Sequence, residues 1–127
     1  MSKRKKLYIG KWEEKGWKTI NLSFTPSNLL MLLDEATVDE PGEFNHQDIV
    51  NWCLKYWKQF LDDDIELIEI EKVAVQIASD VDVQWDLYLA NSYSLEQLQN
   101  LDFSSINLPR EWFKKWATSL RQILDKN

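Results

Sequence analysis

Apolar positions along the chain recur with two periods, and these divide it into helix-like and strand-like stretches. In residues 46–61, Ile49, Val50, Cys53, Trp57, Phe60 and Leu61 fall at offsets 0, 1, 4, 8, 11 and 12. That is one face of a 3.6-residue repeat, so an amphipathic helix is predicted there. Trp112, Phe113, Trp116, Leu120, Ile123 and Leu124 repeat the same offsets and predict a second. Asn45 stands where a cap for the first helix belongs, and Asp48 in its third position complements the positive helix end. Pro109 takes the favoured first position of the last helix. Two shorter helices are predicted as well. One covers residues 26–36, with Thr25 as cap, Pro26 at the first position and an apolar run from Leu29 to Leu33, for which a strand is the alternative. The other begins at Ser94, which forms a capping box with Gln97 before Leu95, Leu98 and Leu101.

The remaining pattern has a period of two. Residues 7–12 and 17–24 read as strands joined by a four-residue loop in which Gly16 takes the positive φ. In that register Trp12 and Trp17 form a cross-strand aromatic pair, and Ile20, Leu22 and Phe24 face the core. Val81, Val83, Trp85, Leu87 and Leu89 alternate with Asp82, Gln84, Asp86 and Tyr88, which makes this the clearest strand of the chain. Residues 65–78 alternate with one slip. Their β-branched content favours a strand, with a helix as the alternative. Ser79 and Asp80 would form the turn of a second hairpin. The order β-β-α-α-β-β-α-α predicts an α+β fold: an antiparallel sheet of about four strands, in two hairpins, with helices packed on one face. Residues 1–6 form a basic flexible leader, and residues 7–127 a single domain large enough for its own core.

Composition sharpens this picture in two respects. Seven Trp, four Tyr and five Phe among 127 residues call for a folded core. Cys53 is the sole cysteine, so no internal disulfide can form. A buried, inert thiol is expected, as suits a reducing cytoplasm. No apolar run is long enough to span a bilayer, and no apolar segment of a secretory signal follows Lys3, Arg4, Lys5 and Lys6. A cytoplasmic protein without a membrane partner is expected.

The net charge of −6 is unevenly distributed. Residues 1–18 carry seven basic and two acidic groups, whereas residues 59–109 carry eleven acids and one base, Lys72. Asp39, Glu40 and Glu43, the knot Asp62, Asp63 and Asp64, and a polar strand face of Asp80, Asp82 and Asp86 with Tyr88 would form one acidic patch. Trp12 and Trp17 are further contact candidates. Such a patch speeds encounter with a basic protein and disfavours wrong partners.

Catalytic and metal chemistry find little to build on. Asp80 begins a segment like a calcium loop, but Trp85 stands at its sixth position instead of Gly, and Asn91 at its twelfth instead of Glu. One histidine and one cysteine cannot make a structural zinc site. On a strand, Asp82 and Asp86 would lie ~13 Å apart, too wide for a carboxylate pair. His46 is expected at the surface, and the three glycines form no phosphate loop. The expectation is therefore a protein without enzyme activity, metal or cofactor. In size and charge alone the chain resembles small acidic proteins that neutralise a basic toxin or nuclease. The leading expectation is an acidic protein-binding domain of the immunity or antitoxin type. One alternative is a nucleic-acid-associated factor using the basic N-terminal hairpin, against which the strongly acidic body argues. Another is a small enzyme of unrecognised type. Self-association through the Trp12/Trp17 pair or free strand edges is a further expectation.

Overall fold

The computed structural model describes residues 19–38, 44–61 and 66–126. Every regular element among them is helical, which overturns the expected α+β sheet. The helices are α1 (Pro26–Glu35), α2 (His46–Leu61), α3 (Glu69–Ser92), α4 (Leu95–Asn100) and α5 (Arg110–Lys126), with a 3-10 turn at Phe103–Ser105. The largest correction is α3. A stretch expected to be two strands and a turn is one helix of 24 residues, about 36 Å long at ~1.5 Å per residue.

The buried residues of α3 explain why. Ala74, Ile77, Ala78, Val81, Asp82, Trp85 and Leu89 form a single helical stripe with steps of three and four. The apparent alternation came from Val83 and Leu87, which lie off that stripe and face outward. No Gly or Pro occurs between residues 43 and 108. Nothing at Ser79 and Asp80 therefore favours the positive φ of a tight hairpin. Glu69 and Glu71 sit in the first turn, where carboxylates suit the helix dipole, and Glu71 Oε1 accepts the Ile68 N–H at 3.3 Å. Extended Tyr93 ends the helix.

The capping signals elsewhere are in place. Thr25 Oγ1 accepts the Asn28 N–H at 3.1 Å. Asn45 and Asp48 bond reciprocally at 2.8 and 3.1 Å, and so do Ser94 and Gln97. α2 is turned somewhat from its expected orientation. Trp52 and Tyr56 are buried with Ile49, Val50 and Cys53, whereas Trp57 and Phe60 are only half-buried.

Residues 7–18 of the expected first hairpin lie outside the described residues. Residues 19–24 form no regular element, yet Ile20 is buried, Leu22 and Phe24 pack on the core, and Thr19, Asn21 and Ser23 are exposed. The inward face was thus read correctly although no strand forms. Trp52 Nε1–H donates to the Leu22 carbonyl at 3.2 Å, and Phe24 packs its ring 5.3 Å from Trp52 and 5.5 Å from Tyr56.

α3 is the hub of the fold: it packs along α2 and also meets α1 and α5. α1 lies against α5, where Arg121 pairs with Asp34. Leu29, Leu32 and Leu33 of α1, Val81 of α3, and Phe113 and Leu120 of α5 are completely buried between these helices.

Candidate functional site

Of the residues expected to bind a partner, Asp39, Glu40, Glu43, Asp62, Asp63, Asp64, Trp12 and Trp17 lie outside the described residues. The other four, Asp80, Asp82, Asp86 and Tyr88, all belong to α3. A strand would have put the three aspartates on one face. A helix advancing ~100° per residue separates them.

Asp82 turns inward. It is 4% exposed and accepts the Trp57 Nε1–H at 3.2 Å, tying α3 to α2. Asp80 sits on the opposite flank and accepts the Trp116 Nε1–H at 2.7 Å, tying α3 to α5. Tyr88 sets its ring edge-on against Trp112, with centroids 5.9 Å apart. Asp82 is therefore a buried acceptor and no part of an acidic rim. Tyr88 is half-buried packing against α5.

What α3 offers outward is different. Lys72, Gln76, Asp80, Val83, Leu87 and Ala90 are exposed and follow one stripe. Val83 and Leu87, one turn apart, are 44% and 48% exposed. Around the helix axis, Asp80 and Asp86 stand about 60° to either side of Val83. α3 as a whole carries five acids and one base. The face is thus an apolar pair between carboxylates. Strand alternation would put Val83 and Leu87 with Val81 and Trp85 on the core side. Their spacing of four, out of phase with Ala74, Ala78 and Val81, was the signal that separates them from it.

Burial shifts the titration of Cys53, Tyr56 and His46. Burial pushes the Cys53 thiol up, and the negative charge of Asp82 pushes it further, so the thiolate nucleophile does not form. Burial likewise raises Tyr56, with Glu71 and Cys53 adding to it. His46, expected at the surface, is part-buried. Its Nδ1 accepts the Leu108 N–H at 2.9 Å, its ring meets Phe113 edge-on at 4.5 Å, and it bonds the Ala36 backbone. Burial lowers its pKa, and the Ala36 bond opposes that in part.

A groove of about 440 Å³ runs between residues 19–24 and the α2 side chains Asn51, Trp52 and Lys55. Among the described residues Lys55 is the one ionisable group lining it, so no acid is joined to a base there. Among the described residues, no three His, Cys, Asp or Glu side chains converge to hold a metal ion, and no helix is long and apolar enough to cross a membrane. No family model, curated protein or solved structure matches the chain.

Proposed function

We propose that the chain is a non-catalytic protein-binding domain that meets a basic partner through the outward face of α3, as an immunity or antitoxin-like inhibitor would. The observation that carries this reading is the exposed Val83/Leu87 pair set between Asp80 and Asp86. An apolar centre gains from exclusion of water, while a charged rim sets orientation and the rate of encounter. Two copies of this face would bring carboxylates against carboxylates. That favours a basic partner over self-association through α3. A cytoplasmic setting suits the unpaired, buried Cys53.

The test uses the tagged full-length chain. It is expected to co-purify with a basic protein in a complex that weakens as salt is raised. A double variant, Val83→Ser with Leu87→Ser, should lose that protein while keeping its helical circular dichroism. A partnerless chain, or a partner held equally well by the variant and in high salt, would contradict the reading.

A further inference from the structure

We propose that His46 is an acid-sensitive clasp: its neutral ring holds the segment leading into α5 against the junction of α1 and α2, and protonation of that ring releases the segment. The geometry fixes the protonation state. Nδ1 accepts the Leu108 N–H at 2.9 Å, so Nδ1 carries no proton, and the other ring nitrogen is left to donate to the Ala36 carbonyl. One small ring thereby joins the end of α1, the first residue of α2 and the chain entering α5. Phe113 packs edge-on with it from α5, with ring centroids 4.5 Å apart.

A proton added to Nδ1 would set N–H against N–H. The Leu108 amide, on a residue only 2% exposed, would then lose its acceptor inside the protein. The cheaper outcome is for the segment to move away.

Among the described residues, the charged groups that the surrounding elements bring to this end are Asp34 and Glu35 on α1, Asp48 on α2, Asp102 ahead of the 3-10 turn, and Arg110, Glu111 and Lys114 on α5. Asp34 is engaged by Arg121, Asp48 by the Asn45 cap, and Glu35 accepts the Phe44 N–H. The perturbation of His46 comes from burial, partly offset by the Ala36 bond.

The sign follows from that direction. In the folded state His46 takes up its proton at lower pH than in the open chain, whose value is ~6.5. The clasp's contribution is therefore fully present above that pH. It is lost as pH falls from there through the folded-state value.

The test is amide exchange of the full chain between pH 7.5 and 4.5, corrected for the intrinsic rate at each pH. The Val81 amide, in the buried centre of α3, reports global opening. Leu108 protection is expected to fall up to about tenfold per pH unit in the titration range and to lie below Val81 protection throughout. Leu108 exchanges through release of the clasp, and Val81 only through global opening, which takes up the same proton. His46→Asn, which can offer an oxygen to Leu108 but does not titrate, should flatten the Leu108 profile. Leu108 protection equal to that of Val81 at every pH, or a flat Leu108 profile in the wild-type chain, would overturn the proposal. The wild-type comparison decides it even where the variant fails to fold.

Discussion

α3 is held on its two flanks by the same chemical pair, an aspartate accepting an indole N–H, but in two different environments. Asp82 and Trp57 meet where the carboxylate is almost completely buried, at 3.2 Å. Asp80 and Trp116 meet where the carboxylate is exposed, at the shorter distance of 2.7 Å. Bond length would rank Asp80 as the more important residue. Desolvation ranks them the other way. When Asp80 is removed, the space it vacates opens to solvent, whereas a cut at Asp82 leaves an unfilled space inside the protein and the Trp57 donor with its partner gone. The pair at the surface orients; the pair in the interior is a condition of the fold.

This contrast can be broken by substitution. Asp82→Ala should destabilise the chain by about 2–3 kcal/mol, read from chemical denaturation, because a buried acceptor and its volume are lost together. Asp82→Asn keeps an oxygen for Trp57 and removes the buried charge, so its cost should be under about 1 kcal/mol. A loss for Asn as large as that for Ala would show that the charge, and not the hydrogen bond, holds α3 to α2. Asp80→Ala should cost about 0.5–1 kcal/mol. If Asp80→Ala proves as damaging as Asp82→Ala, the ranking by desolvation fails. The smallest effect belongs to the outward face: Val83→Ser with Leu87→Ser should change stability by no more than about 0.5 kcal/mol per site. A large change there would mean that these side chains are packed in the folded protein.

The same two aspartates show what could be read from the sequence and what could not. Caps were legible because they depend on neighbours three residues apart. Thr25, Asn45 and Ser94 each bond where local chemistry places them. α2 was legible in its span, from His46 to Leu61, and α5 in its stripe, because large apolar side chains mark one face. α3 was not. Its buried stripe runs through Ala74, Ala78 and Asp82, residues that carry little apolar signal, while Val83 and Leu87 supply a strong signal from the solvent side. Small residues let a neighbouring helix approach closely, and a hydrogen-bonded aspartate can be buried, but neither raises the hydrophobic pattern. The absence of Gly and Pro from residue 43 to residue 108 was the better guide. The candidate face followed from the same misreading, since exchanging strand for helix turned Asp82 inward and Val83 outward.

The clasp at His46 shows a different limit. Nothing in the neighbourhood of residue 46 along the chain points to Leu108, 62 positions away. Only the packing of α1, α2 and α5 brings the ring to that amide.

The continuity of α3 through Ser79 and Asp80 underlies the ranking of the two aspartates and the location of the outward face alike. Backbone ¹³Cα and ¹³C′ chemical shifts across residues 70–89 test it most directly. An unbroken run of helical shifts through Ser79 and Asp80 is the predicted result. Strand-like shifts on either side of a break at those two residues would contradict it.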